Sequence, residues 1–168
     1  AMYRALTLKM LRAGIAPHGE AELVALARQA EITLEDGGRR VRLDGEDVTA
    51  EIRTPEVAAL VSEVSAHPGV REQMVAAQRA LMSRGNWVSD GRDVGSTVWP
   101  DAEVKVFLTA SPEERARRRC AELAANGMEL DEARVLADVR RRDELDTTRE
   151  ASPLRVADGA VVIDSSDL

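Results

Sequence analysis

Three charged side chains near residue 145 have the spacing of one helical face. Arg142, Asp146 and Arg149 follow the intervals i, i+4 and i+7. The planar fork of N–H donors on an arginine binds phosphate through two parallel hydrogen bonds, and a neighbouring carboxylate can hold that fork or accept a sugar hydroxyl. The set fits a phosphate site, but its spacing alone favours the salt-bridged surface of a solvent-exposed helix.

A glycine-flanked loop carries a second Arg/Asp pair. Residues 91–95 read Gly-Arg-Asp-Val-Gly and follow the β-rich run Trp-Val-Ser at 87–89. Ligands of open parallel sheets bind at the carboxyl ends of strands, where this loop is predicted to lie. Arg92 and Asp93 are therefore candidate ligand-binding residues. A surface turn in which the two side chains pair with each other is the competing interpretation.

A third basic cluster lies on a predicted helix. Residues 115–119 are arginines except for Ala116, and Glu113 and Glu114 precede them at the positive end of the helix dipole. Arginines this close repel one another unless an anion lies nearby, so a phosphate site and a solvated helix face both fit. Converging arginines suit phosphoryl transfer, because negative charge spreads over the phosphoryl oxygens in the transition state.

The composition excludes several classes of protein. A length of 168 residues suffices for one domain with a hydrophobic core. The net charge of −7 argues against a nucleic-acid coat, and 2% aromatic residues provide no base-stacking surface. The single cysteine, Cys120, rules out a disulfide framework and a cysteine metal cluster. Since there is neither a membrane-spanning apolar run nor a signal-peptide pattern, we expect a cytoplasmic protein. We also expect no metal site built from the side chains of the protein.

The first half of the chain is predicted to be helical with a small β excursion. Asp36-Gly37-Gly38 separates two alternating runs and predicts a hairpin over residues 31–43. Gly14 is a predicted helix stop and Thr54-Pro55 a predicted helix start. The predicted helices cover residues 1–13 and 20–30, with two more between 55 and 84 that separate at His67-Pro68.

The second half alternates short apolar runs with helices. Buried parallel strands are predicted at residues 87–89, 104–108 and 160–164. One helix is predicted from Ser111-Pro112 to a stop at Asn126-Gly127, and another from Leu130 to Thr147. Strands separated by helices predict an α/β fold with a layered parallel sheet.

Taken in order along the chain, these segments resemble the bacterial cytidylate kinases, a family of nucleoside monophosphate kinases. The resemblance covers nearly the whole chain, and its specificity comes from the series of motifs. The matching segments are Ala1-Met2-Tyr3-Arg4, Gly45-Glu46-Asp47-Val48, Glu51-Ile52-Arg53-Thr54, Gly91-Arg92-Asp93-Val94-Gly95, Phe107-Leu108-Thr109-Ala110-Ser111-Pro112-Glu113-Glu114-Arg115, Arg142-Asp143 with Asp146 and Arg149, and Val162-Ile163-Asp164.

The resemblance implies a three-layer α/β fold of the P-loop kinase type, in which helices flank a parallel sheet and a small antiparallel β insertion is added. Residues 1–30 and 84–168 would form the core, including a mobile lid between 115 and 149. Residues 31–83 would form a monophosphate-binding insertion, with strands between 31 and 49 and helices between 55 and 84.

The resemblance also implies an activity, the transfer of a phosphoryl group from ATP to CMP or dCMP with Mg²⁺. By motif position, the residues that bind the CMP phosphate would be Arg4, Arg92, Arg142 and Arg149, of which the last three would also be catalytic. Cytosine would be read by Ser62, Arg71 and Asp93. Asp146 would accept a sugar hydroxyl, and Tyr3 would line the same pocket. Arg115 and Arg118 would belong to the lid over the ATP phosphates.

The chain departs from the family where ATP would bind. The family opens with a strand and a glycine-rich loop carrying Gly-Lys-Ser/Thr, whose backbone N–H groups bind ATP phosphates. Neither Lys9 nor Lys105 follows a glycine. The chain begins within a helix and ends before the position of the family's last helix. We therefore expect a core that is truncated at both ends and inactive on its own.

Other functions compete with this interpretation. A nucleotide-binding remnant would bind CMP without catalysis and without affinity for ATP. A kinase for another pyrimidine monophosphate such as UMP is the second alternative, although Ser62, Arg71 and Asp93 mix donors and acceptors as the cytosine edge requires. The acidic net charge disfavours an RNA-associated structural protein. We expect a monomer that binds neither nucleic acid nor membrane.

Overall fold

The first of two structural units, Ala1–Trp87, is mainly helical, as the apolar periodicity predicts. The computed structural model describes residues 1–125, 127–128 and 130–168. Its helices in this unit are α1 (Met2–Ala13), α2 (Glu20–Gln29), α3 (Pro55–Val64) and α4 (Pro68–Met82). Gly14 ends α1 with a left-handed φ of 66°, and a proline occupies the first position of α3 and of α4. These predicted helix boundaries are confirmed.

A small antiparallel sheet follows α2. Its strands are β1 (Ile32–Glu35), β2 (Arg40–Leu43) and β3 (Glu46–Asp47), paired in the order β1-β2-β3. Glu35 lies opposite Arg40 across a turn in which Asp36, Gly37 and Gly38 all have positive φ. The predicted hairpin is confirmed, because glycine and aspartate tolerate the backbone conformation that a tight turn requires.

Helix α1 contributes to two hydrophobic clusters in this unit. Met2, Leu6 and Met10 belong to a buried cluster with residues of α2, α3 and α4. Ala5 and Leu8 belong to the other, which includes β2 and the beginning of α3. Since two different faces of α1 are covered, the helix connects the sheet to the other helices of this unit.

The second unit, Val88–Leu168, contains the parallel strands. Its elements are a π-helical turn (Val94–Val98), β4 (Val106–Thr109), α5 (Pro112–Ala125), α6 (Glu132–Thr148) and β5 (Val161–Asp164). Strands β4 and β5 pair in parallel, with Val106 opposite Val161. Asn126, which forms part of the predicted helix stop, lies outside the described residues. The α/β class, with a parallel pair and a small antiparallel sheet, is confirmed.

Two predictions about the strands are wrong. Trp87-Val88-Ser89 is not a strand, and Val88 is fully exposed. The strands β4 and β5 are not buried, since all of β5 and two residues of β4 are exposed. A strand forms only with a hydrogen-bonded neighbour and is buried only under another layer, whereas the parallel ladder among the described residues consists of β4 and β5 alone.

The predicted division into core, lid and insertion stays a prediction. Among the described residues, no helix combines the length and the apolar character that crossing a bilayer requires.

Candidate functional site

Six side chains of the second unit form a line of alternating charges, here called the Arg–Asp network. Every two neighbours in the line form an ion pair, with a nitrogen-to-oxygen distance of 4.0 Å or less. In order, the members are Arg115, Asp143, Arg92, Asp146, Arg149 and Asp93. The helix and loop motifs predict four phosphate or sugar ligands in this unit. Three of them, Arg92, Asp146 and Arg149, lie in this connected network, and the fourth is Arg142.

Asp143 connects helices α5 and α6 through this network. Arg115 donates to both of its oxygens, from Nη1 to Oδ1 at 2.9 Å and from Nη2 to Oδ2 at 2.5 Å. Arg92 Nη1 donates to the same Oδ1 at 3.3 Å. The hydrogen bonds from Arg115 hold the pKa of the Asp143 carboxyl below its usual value, so the carboxylate is ionised at neutral pH.

Arg92 is held at one nitrogen only. Its Nη1 lies 3.3 Å from Asp143 Oδ1 and 2.5 Å from Asp146 Oδ2. Neither Nε nor Nη2 makes a hydrogen bond with the described residues, and the side chain is 41% exposed. The Nε–Nη2 edge of a guanidinium is one of its two bidentate faces for an oxyanion. Arg92 therefore presents an oriented anion-binding edge.

Asp146 and Arg149 form the buried end of the network. Their side chains are only 9% and 6% exposed, and Arg149 Nη1 donates to Asp146 Oδ1 at 2.9 Å. Arg149 Nε donates to the Ser152 carbonyl at 2.7 Å, and Nη2 lies 4.0 Å from Asp93 Oδ2. The prediction that Arg149 shares a helical face with Asp146 is wrong, because α6 ends at Thr148 and Arg149 has the extended ψ of 141°. The chain turns there and still brings the pair together.

The loop at 91–95 leads into a π-helical turn. The Asp93 carbonyl accepts the N–H groups of Thr97 and Val98, at 2.9 and 3.2 Å. This turn buries Asp93, which is 9% exposed. Among the described residues Arg92 pairs with Asp143 and Asp146 and not with Asp93, so the loop is not the self-paired surface turn that competed with a ligand-binding role.

The arginines predicted for the lid are engaged within the protein. Arg115 Nε donates to the Ala110 carbonyl at 3.1 Å while both Nη atoms donate to Asp143. Arg118 donates from Nε to Glu114 Oε1 at 2.6 Å, from Nη1 to Ser165 Oγ at 3.1 Å, and from Nη2 to the Ser165 carbonyl. These bonds connect α5 to residues at the carboxyl ends of β4 and β5. Arg142, the remaining candidate in this unit, lies half-buried on α6.

The candidates of the first unit meet in part. Arg71 on α4 is 2% exposed, and its Cζ lies 5.3 Å from the centroid of the Tyr3 ring, within the range of a cation–π contact. Its Nη1 donates to the Ser65 carbonyl at 3.0 Å. Arg4 on α1 donates from Nη1 to the Ile52 carbonyl at 3.0 Å. Ser62 lies half-buried on α3.

The sequence profile described as "Cytidylate kinase" matches residues 1–168. The chain belongs to the cytidylate kinase family. It is 51% identical over 168 residues to a cytidylate kinase of Caldanaerobacter subterraneus subsp. tengcongensis. That alignment covers 100% of this chain and 74% of the relative. A cytidylate kinase of Pelotomaculum thermopropionicum is 50% identical (100% of this chain, 76% of the relative), and one of Mycolicibacterium paratuberculosis is 53% identical (99% and 75%).

Family membership confirms the resemblance found in the motifs and makes the chain a kinase of this family. The roles of individual residues stay predictions. Among the described residues, no group of three or more His, Cys, Asp or Glu side chains is arranged to hold a metal ion.

Two residues of the site escaped the sequence argument. Asp143 stood in the matching motif without a role, although its i, i+3 relation to Asp146 places both carboxylates on neighbouring positions of α6. Ser165, which is 6% exposed, follows β5 and accepts the bonds from Arg118. The Asp143–Asp146 spacing was the one available signal, since two acidic residues on one side of a helix require cations from elsewhere.

Proposed function

We propose that this protein transfers a phosphoryl group from ATP to CMP or dCMP, giving ADP and CDP or dCDP. Membership of the cytidylate kinase family and the names of its relatives support the reaction. The observation that carries the proposal is Arg92, whose Nε–Nη2 edge makes no hydrogen bond with the described residues while two carboxylates hold its Nη1. An edge held in this way is ready to bind a phosphate through two hydrogen bonds.

Arg92 would bind the CMP phosphate and hold its attacking oxygen in line with the γ-phosphate of ATP. Positioning and charge stabilisation account for nearly all catalysis of phosphoryl transfer, so no covalent nucleophile is required. Arg142 and Arg149 would add positive charge at the same phosphate, and Arg4, in the first unit, stays a predicted phosphate ligand. Arg149 is already bonded to Ser152 and Asp146, so its contribution would come from a fixed position.

Asp146 would accept a hydroxyl of the sugar. Its Oδ1 accepts from Arg149 and its Oδ2 contacts Arg92, yet each carboxylate oxygen has a second lone pair. The sugar and the phosphate of one nucleotide would thereby be bound by directly connected residues. Because the phosphate would be bound as well, binding would not depend on a single sugar hydroxyl. Both CMP and dCMP would then serve as substrates.

Asp93 would distinguish cytosine from uracil. An ionised carboxylate only accepts hydrogen bonds, and the 4-amino group of cytosine donates them, whereas the 4-carbonyl of uracil would face the carboxylate with its own lone pairs. A buried group left unpaired in this way weakens binding strongly. Within the first unit, Ser62 and Arg71 stay predicted base-binding residues, with Tyr3 beside Arg71.

The described residues provide no cage of metal ligands, so we propose that Mg²⁺ arrives with ATP as the metal–nucleotide substrate. Arg115 and Arg118 would act toward ATP only after exchanging their present bonds to Asp143 and Ser165. No Gly-Lys-Ser/Thr element occurs in these 168 residues.

Calorimetric titration with CMP and with cytidine tests the proposal. Replacing Arg92 by methionine should weaken CMP binding about tenfold to a hundredfold, because hydrogen bonds between charged groups are lost. Binding of cytidine, which lacks the phosphate, should not change. Arg141→Met is the matched control, since Arg141 lies on α6 in an exposed pair with Asp138. Failure of the unmodified protein to bind CMP, or an unchanged CMP affinity in Arg92→Met, would contradict the proposal.

A further inference from the structure

The orientation of Arg92 depends on what fixes its partner Asp143. Asp143 Oδ1 receives two guanidinium groups, from Arg115 at 2.9 Å and from Arg92 at 3.3 Å. Two cations so close would repel each other without the carboxylate between them. The negative charge of Asp143 therefore allows the guanidinium groups of Arg92 and Arg115 to lie close together.

Arg115 in turn is fixed on its other side. Its Nε donates to the carbonyl of Ala110, the residue after β4, and both Nη atoms donate to Asp143. All three nitrogens of the guanidinium are thus bonded within the protein. A bidentate pair of this kind fixes the carboxylate plane as well as its position. The end of β4 is linked through Arg115 to Asp143, and through Asp143 to Arg92.

We propose that Asp143 is a positioning residue, which with Arg115 holds Nη1 of Arg92 so that its Nε–Nη2 edge is directed at the phosphate of the acceptor nucleotide. This inference rests on the proposed function of Arg92. Asp143 touches no reacting atom and acts only through Arg92.

The physical reason is that one contact fixes a position and two contacts fix an orientation. With Asp143 present, two carboxylates bracket Arg92 Nη1, at 3.3 and 2.5 Å. Without it, Asp146 alone holds that nitrogen, and the guanidinium can swing about the remaining ion pair. Arg115 would also lose its counter-charge and repel Arg92. The anion-binding edge would be present but no longer directed.

The test compares CMP with cytidine in titrations of the unmodified protein, Asp143→Asn and Asp143→Glu. Asp143→Asn should weaken CMP binding about tenfold and leave cytidine binding unchanged, because the orientation of Arg92 matters only to the phosphate. Asp143→Glu keeps the charge and should recover part of the CMP affinity. Asp138→Asn is the control, since Asp138 lies on the same helix in an exposed i, i+3 pair.

A second arm repeats Asp143→Asn in the Arg92→Met background. If Asp143 acts through Arg92, the second substitution should change CMP affinity by less than about twofold, since coupled residues are non-additive. Should Asp143→Asn fail to fold in thermal melts, Arg115→Lys replaces it in both arms, because lysine keeps the charge and loses the bidentate fork.

The outcomes separate the two proposals. If the unmodified protein binds CMP but Asp143→Asn binds it equally well, or loses CMP and cytidine to the same extent, the inference about Asp143 is overturned and the proposed function stands. A full additional loss in the Arg92→Met background also overturns it. Absence of CMP binding by the unmodified protein overturns the proposed function itself.

Discussion

At the scale of single residues, Asp146 combines a buried ion pair, a contact to the anion-binding Arg92 and a backbone hydrogen bond. It is 9% exposed, it faces Arg149 and Arg92, and its own carbonyl accepts the N–H of Leu154 at 2.7 Å. A buried charge persists in a folded protein only when it is paired. The carboxylate of Asp146 therefore offsets the cost of burying the charge of Arg149. One residue thus joins the proposed recognition of the sugar to the stability of the site.

Asp146→Ala should lower the free energy of unfolding by about 3 kcal/mol, because breaking a buried ion pair leaves an uncompensated charge. Arg149 would then lose its ion pair at 2.9 Å, while Asp93 lies farther away, at 4.0 Å. Urea unfolding followed by circular dichroism measures the change. Asp138→Ala, in an exposed pair, should alter stability by less than about 0.5 kcal/mol. Equal midpoints and slopes for Asp146→Ala and the unmodified protein would refute the prediction.

At the scale of elements, the end of α1 is set by one glycine. Gly14 has φ 66°, its N–H bonds the Leu11 carbonyl at 3.1 Å, and Ile15 N–H bonds the Met10 carbonyl at 3.1 Å. This left-handed cap turns the chain toward α2. Since α1 reaches both hydrophobic clusters of its unit, the direction of its exit affects the packing of every other element there.

Gly14→Ala should destabilise the protein by about 1 kcal/mol, because an L-residue strains in the left-handed region. A Cβ at this position would meet no atom within 4 Å, so the loss is conformational and not a clash. Gly14→Asn should lose less, since asparagine adopts this conformation more readily. Thermal melts of the two variants measure the difference, and an alanine variant as stable as the glycine protein would exclude the account.

At the scale of the whole molecule, acidic groups in both units are held ionised by neighbouring donors. Arg12 lowers the pKa of Glu46, Arg117 that of Glu114, Arg115 that of Asp143 and Ser166 that of Asp164. A carboxyl whose pKa is lower in the folded state stabilises the fold above its unfolded pKa, and this contribution disappears as pH falls through the folded value. The sign is therefore the same for all four groups.

The melting temperature should fall when the pH is lowered from about 7 to about 3, with most of the loss below about pH 4.5. Differential scanning calorimetry over that range measures it. Asp143→Asn removes one of the contributing groups and should flatten the curve. A melting temperature independent of pH over the whole interval would be incompatible with these ion pairs.

Features that depend on neighbouring residues could be predicted from the sequence, and features that depend on distant residues could not. Gly14, Thr54-Pro55 and Asp36-Gly37-Gly38 were interpretable because caps and turns depend on neighbouring residues. The run 87–89 was misread as a strand, because pairing depends on a partner elsewhere in the chain.

The candidate site divides in the same way. The residue types that bind phosphate were identifiable from the motifs. The contact between Arg115 and Asp143 joins residues 28 positions apart, and no spacing within α5 or α6 indicates it. That Arg118 is bonded to Ser165 is equally a property of the folded chain.

The Arg–Asp network pairs three guanidinium groups with three carboxylates, so it has no net charge, and the chain as a whole carries −7. The nucleotide that we propose as acceptor is itself an anion, so no long-range field draws it toward this protein. Salt screens repulsion as well as attraction, and encounters should become more frequent as ionic strength rises. How often the acceptor arrives is thus set by the whole chain's charge, while how long it stays is set by the local side chains that bind it.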